Sequence, residues 1–230
     1  MLNNIRRFIH ISSLVIGLFL TSFYVFAAPK PSPANINAEA ESLEKIAPNL
    51  DINVLKLALK AYNHVDEKGL NKKHILTVID YRLPSSQKRL WVFDLDQNKL
   101  LFNTYVAHGK NSGNLYAKHF SNAHQSKETS IGTFVTGNVF QSGHDGAALQ
   151  INGLDKGFND QAASRGVIMH GASYVSESFL KHNGRMGRSW GCPAVSKKII
   201  EPIINTIKGK SVMFSYYPDT KWLSSSQYLS

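Results

Sequence analysis

The sequence predicts a mainly β domain with a helical segment in front of its strands and a short helix near its end. Three observations predict this. From His74 onward, short runs of branched and aromatic residues alternate with turn-forming residues. Before that point, Val54, Ala58, Ala61, Tyr62 and Val65 recur at helical spacing. Hydrophobic residues make up 43% of the 230 positions and charged residues 18%, which excludes a disordered chain and a membrane-integral one.

The first residues predict the compartment. Arg6 and Arg7 form a positive start, Ile11 to Phe26 are uncharged and apolar or small, and Val25 and Ala27 fit the small-residue pattern of a cleavage site. Residues 1–27 therefore read as a signal peptide. Cleavage is expected after Ala27, because cleavage after Ala28 would place Pro29 at the scissile bond. The apolar run is short for a spanning helix, so removal is expected over anchoring. No Cys follows the run, which excludes a lipoprotein anchor. The expected location is the periplasm or cell envelope.

Residues 28–37, rich in Pro from Pro29 to Ala34, read as a linker. Residues 38–70 read as the helical segment, with Asp51 placed to cap a helix and Gly69 to end one. Residues 71–218 read as the β domain. Its first three strands, Ile75 to Tyr81, Leu90 to Leu95 and Lys99 to Ala107, are separated by Pro84-Ser85-Ser86 and Asp96-Gln97-Asn98, as in an antiparallel meander. A polar loop from Gly109 to Lys127 follows. Thr133 to Phe140, Ala148 to Ile151 and Val167 to His170 are further strands. Ile199 to Ile207 is the short helix, with Pro202 in its first turn or kinking it. Gly209 ends that helix, Ser211 to Tyr217 closes the domain, and residues 219–230 read as a tail, Ser-rich and expected to be loose after Trp222.

Charge and cysteine count narrow the chemistry. The 26 basic residues outnumber the 16 acidic ones, for a net +10. In an exported chain this suits peripheral contact with wall polymers or an anionic membrane surface. No basic-aromatic motif points to nucleic acid, and no Gly-rich loop between strand and helix points to a nucleotide cofactor. Cys192 is the single cysteine, so no internal disulfide can form. A lone exported thiol is either buried and inert or kept for its chemistry.

The segment from Met169 to Ser196 favours chemistry. Gly191 before Cys192 permits a sharp turn, and Pro193 after it fixes its own φ. Such a turn can expose the sulfur and aim backbone N–H groups at one point, as an oxyanion hole requires. A thiol needs a base or a cation to become a thiolate. His170, at the end of a predicted strand, is the candidate base, and Arg185 and Arg188 add positive charge. A structural His and a plain tight bend are the alternatives for the same residues. Tyr174 is either a cleft residue or a packing one.

With these residues in place, the chain resembles the murein L,D-transpeptidase catalytic-domain family, in the branch with a Ser-Trp-Gly-Cys-Pro motif. His170-Gly171 matches the first part of the motif, and Ser189, Gly191 and Cys192 match the second. Ser130-Ile131-Gly132, Gly143 to Leu149, Asn159-Asp160 and Arg165 also fit, and the similarity runs from about Lys72 to Tyr217. Trp190 and Ala194 stand where the common motif has His and Arg, and the spacer from His170 to Cys192 is longer than usual. Arg188 is the candidate to replace the missing Arg.

The resemblance implies a β-sandwich or barrel acting on peptidoglycan stem peptides. Cys192 would be the nucleophile and His170 the base, with Gly191 and Cys192 N–H groups as the oxyanion hole. Gly171, Arg188, Ser189 and Trp190 would be substrate-binding candidates. The His would be oriented by a backbone carbonyl, with no metal and no cofactor. The acceptor is left open between a stem amine, giving a 3–3 crosslink, and water, giving an L,D-carboxypeptidase. Two rivals stand beside this reading. A zinc hydrolase would use His119, His124, His144 and His170 with Asp145, but no His-Glu-x-x-His spacing supports it. A non-catalytic wall-binding module explains the charge but not the lone thiol.

Overall fold

In the computed structural model, residues 33–230 are described, apart from Asp145. The expected signal peptide, and the linker as far as residue 32, lie outside the described residues. The elements in chain order are α1 (Pro33–Ile46), α2 (Ile52–Glu67), β1 (Ile75–Asp80), β2 (Leu90–Asp94), β3 (Lys99–Thr104), β4 (Gly132–Ser142), β5 (Gly146–Gly153), β6 (Ile168–Ala172), α3 (Glu177–Asn183), β7 (Ala194–Ser196), α4 (Ile200–Ile207), β8 (Val212–Tyr216) and α5 (Thr220–Ser225).

The eight strands form one sheet in the order β3-β2-β1-β8-β4-β5-β6-β7. β1 to β3 form the expected antiparallel meander. β1 also pairs in parallel with β8, and β6 in parallel with β7 across α3. The two edges meet. Past the end of β3, the Ala107 N–H donates to Ala194 O of β7 at 2.8 Å. The bond Lys110 N–H to Ser189 O, at 2.8 Å, and Ser189 N–H to His108 O, at 3.0 Å, continue this seam. The sheet is thereby nearly closed into a barrel, which removes most of the exposed edge.

Strand periodicity divides the core in two. Leu76, Val78, Trp91, Phe93, Val212 and Phe214 face α1 and α2. Ile79, Leu90, Val92 and Met213 face the other way, with Phe134, Leu149, Met169 and the buried isoleucines of α4. Both faces are covered, so these strands read as nearly continuous apolar runs. Pro202 falls within the first turn of α4, where its missing N–H costs no intrahelical bond.

Two expectations need correction. The helical segment is two helices, starting at Pro33 inside the expected linker and broken at Pro48, which cannot continue a helix. Asp51 caps the second, accepting the Asn53 N–H at 2.8 Å, and Gly69, at φ +66°, ends it. These helices belong to the same compact unit as the sheet. The C-terminal residues are also not loose. Trp222, Tyr228 and Leu229 are buried in the helix-facing core, and Ser226 hydrogen-bonds the buried Asp155. Finally, α3 and β7 carry no sequence expectation. α3 buries none of its residues and so shows no apolar stripe, although Ser176 caps its start and Gly184 its end.

Candidate active site

Cys192 lies in the seam that closes the barrel. β6 and β7 pair in parallel with His170 opposite Ala194, two residues past the cysteine. The crossover through α3 thus brings together the two residues that the sequence separates by a spacer. Cys192 is half-buried, its Sγ 3.9 Å from Gly166 O, and His170 is 5% exposed. His170 Nδ1 lies 3.3 Å from Gly171 O. A carbonyl only accepts, so Nδ1 carries the proton and Nε2 is the basic nitrogen of the neutral ring.

The turn depends both on its glycine and on polar contacts. Gly191 sits at φ +125°, and a Cβ there would lie 2.8 Å from Glu128 O, so only glycine fits. Ser189 is buried. Its hydroxyl accepts from Gly191 N–H at 3.1 Å and donates to Cys192 O at 2.6 Å, bridging the turn. Thr129 Oγ1 donates to Gly191 O at 3.1 Å and accepts from Gly109 N–H at 2.8 Å.

These contacts redistribute the expected roles. Gly191 N–H is engaged by Ser189, so its expected place in an oxyanion hole does not hold in this structure. Ser189 is buried and shapes the turn. Gly171 is a packing glycine: a Cβ there would meet Ile200 Cγ2 at 2.8 Å. Arg188 Nη1 donates to Lys110 O and Gly113 O, each at 3.2 Å, and so ties down the loop after the seam. Tyr174 packs over Gly187, where a Cβ would meet the Tyr174 Cβ at 2.5 Å and its ring at 2.7 Å. Trp190 is 74% exposed, with Lys127 Nζ 5.1 Å above its ring. Of the substrate candidates, Trp190 and Arg188 are exposed, while Gly171 and Ser189 are buried. His119, His124 and His144 are exposed, and among the described residues no cluster of His, Cys, Asp or Glu is placed to hold a metal.

Sequence reasoning missed the polar layer behind the turn. Arg89 is fully buried, and its guanidinium donates to Leu83 O, Val106 O and His108 Nδ1, the last at 2.8 Å. It also lies 5.0 Å from the ring centre of buried Tyr81. Burial pushes Arg89 down to about 10, so it stays charged at neutral pH. Burial first, and then the Arg89 charge, pushes His108 down to about 3. The neutral His108 therefore accepts from Arg89 through Nδ1, while its backbone carbonyl accepts from Ser189 N–H. Burial also raises Tyr81, and its hydroxyl stays protonated within electrostatic reach of Cys192. Arg165 was noted only as one residue of the resemblance. The structure puts it beside the turn. None of these residues has a local sequence signal, because their partners are distant in the chain.

Fold and site together define a mainly β catalytic domain with a cysteine on a closing turn and a histidine on the adjacent strand. The profile of the L,D-transpeptidase catalytic domain matches residues 46–216, and the chain belongs to that family. The match takes in α2 as well as the barrel. Among solved structures, similar chains include an L,D-transpeptidase from Mycobacterium smegmatis, at 13% identity and a TM-score of 0.40, covering 63% of this chain and 59% of that one. Another is an L,D-transpeptidase from Stackebrandtia nassauensis, at 13% identity and a TM-score of 0.38, covering 80% of this chain and 77% of that one. No curated protein sequence matches the chain.

Proposed function

We propose that the protein is an exported peptidoglycan L,D-transpeptidase with Cys192 as its nucleophile. The observation that carries this reading is the placement of Cys192, in a domain of this family, on a turn paired to the strand of His170. Export rests on the pattern of residues 1–27 alone.

The chemistry starts with proton transfer from Cys192 Sγ to His170 Nε2. The thiolate attacks the carbonyl of the diamino acid's L-centre in a stem tetrapeptide. The oxyanion falls to the Cys192 N–H, since Gly191 N–H is held by Ser189. One such donor is worth about 3 kcal/mol of barrier. The tetrahedral intermediate collapses, its C–N bond breaks, and His170 returns the proton to the D-Ala amine that leaves. A thioester remains on Cys192. The amine of a neighbouring stem gives a proton to His170 as it attacks the thioester, its new C–N bond replaces the C–S bond to form the amide of a 3–3 crosslink, and Cys192 leaves as the thiolate, which regains the proton from His170. The exposed Trp190 and the Lys127 above it offer this acceptor or its glycan a flat, basic rim.

Mass spectrometry of tetrapeptide muropeptides incubated with the protein, beside Cys192→Ala, tests the reading. A dimer lacking one D-Ala, absent with the variant, is the expected result. A tripeptide alone would replace the amine by water and make the protein an L,D-carboxypeptidase. No change in either sample would overturn the enzymatic reading in favour of wall binding.

A further inference from the structure

The scheme above leaves one cation at the nucleophile turn without a task. Arg165 precedes β6 and is half-buried. Its Nη1 donates to Ser121 O at 2.6 Å and Ser130 Oγ at 2.5 Å, and its Nη2 donates to Ser126 Oγ at 3.0 Å and Glu128 O at 2.8 Å. Each of these acceptors is neutral. Among the described residues, none of the ion pairs includes Arg165. Its Nε is buried without a hydrogen-bond partner. The guanidinium therefore keeps a charge that nothing opposite it at contact distance neutralises.

Its position is set against the cysteine from two sides. The Glu128 carbonyl that it holds is the one packed under Gly191, and Nη2 itself lies 3.6 Å from where a Gly191 Cβ would be. The carbonyl of the next residue, Gly166, is 3.9 Å from Cys192 Sγ. Arg188, the cation put forward from sequence, is instead spent on the carbonyls of Lys110 and Gly113.

We propose that Arg165 is a positioning residue for the nucleophile: its fixed positive charge favours the Cys192 thiolate while its hydrogen bonds clamp the Ser121–Ser130 loop to the turn. The proposal rests on the reading of Cys192 as nucleophile. That loop carries Lys127 to its place over Trp190, so the same side chain also shapes the rim of the site.

The other ionisable groups facing Cys192 do not replace this charge. His170 exchanges its proton with the thiol. Tyr81 and His108 are buried and neutral, and Arg89 lies behind the Tyr81 ring. Glu128 opposes the effect, Lys127 sits over solvent-facing Trp190, and Arg188 is exposed. Burial lowers the Arg165 pKa, and the charges of Cys192 and then Glu128 act in the opposite direction, as expected of a cation facing a thiolate.

The test is the pH dependence of Cys192 alkylation by iodoacetamide in wild type, Arg165→Lys and Arg165→Met, each with its thermal unfolding curve. The wild-type midpoint, a property of the Cys192–His170 pair, is expected well below the ordinary thiol value of about 8.5. Arg165→Met is expected to raise it by about one pH unit or more, while Arg165→Lys stays near wild type despite a lower Tm. Superimposable profiles for wild type and Arg165→Met, with only the Tm reduced, would make Arg165 a mere brace and overturn the proposal. So would a wild-type midpoint at the ordinary value. Arg165→Gln, which keeps donors but not charge, gives the same comparison should the methionine variant not fold. No muropeptide is involved, so a shifted midpoint together with a failed crosslinking assay would sink the proposed function and spare the role of Arg165.

Discussion

Ser189 shows how much one hydroxyl can decide. It supplies an acceptor to Gly191 N–H and a donor to Cys192 O, so it closes the turn that aims the thiol. Gly191 is buried, and removing the hydroxyl leaves its N–H without that acceptor. Ser189→Ala is therefore expected to cost about 1–3 kcal/mol in urea unfolding and to slow Cys192 alkylation. An unchanged unfolding midpoint and alkylation rate would show that the turn holds itself. Trp190, next in sequence, has the opposite character. Its ring is exposed, with Lys127 Nζ over one face.

At the scale of elements, the short pieces with weak local signals complete the structure. β7 has three residues, yet it pairs with β6 and receives the bond from Ala107 that joins the sheet edges. α5 is Ser-rich and short, yet it seats Trp222 with no exposed surface, 5.4 Å from the ring of Phe214 and 6.2 Å from that of Tyr216. The C-terminal segment is thus part of the core that α1 and α2 cover. Trp222→Ala is expected to destabilise the protein by about 3–5 kcal/mol in chemical denaturation, far more than a change in a solvated tail. A loss within about 0.5 kcal/mol would mean the segment only rests on the surface.

For the whole molecule, the buried Arg89–His108 pair links stability to pH. His108 has an ordinary value of 6.5 and is held at about 3 in the folded protein. Between those values the unfolded chain binds more protons at this residue than the native state does. Its contribution is therefore fully present above about pH 6.5 and is lost as pH falls toward 3. The slope from this one group is at most about 1.4 kcal/mol per pH unit. His108→Asn keeps an acceptor for Arg89 near the Nδ1 position and cannot titrate. Denaturant unfolding between pH 4 and 7 should show a shallower acid loss for the variant than for wild type. Equal slopes would place the acid sensitivity elsewhere.

Much of this protein was legible in its sequence because the relevant information is local. Short apolar runs rich in branched and aromatic residues mark β1, β2, β3 and β8, and the stripe on α2 is buried as its spacing requires. Gly191-Cys192-Pro193 announced a sharp turn with a thiol on it, and His170 the strand beside it. The tertiary structure decided how these parts meet. It joined the sheet edges at Ala107 and Ala194, turned Gly191 N–H toward Ser189, engaged Arg188 on a loop and set Arg165 beside the Gly191–Cys192 turn. Periodicity reports which face of an element is apolar, a property of neighbours in sequence. The choice among several arginines depends on which carbonyls and hydroxyls the closed barrel brings within hydrogen-bonding distance, and those lie tens of residues apart in the chain.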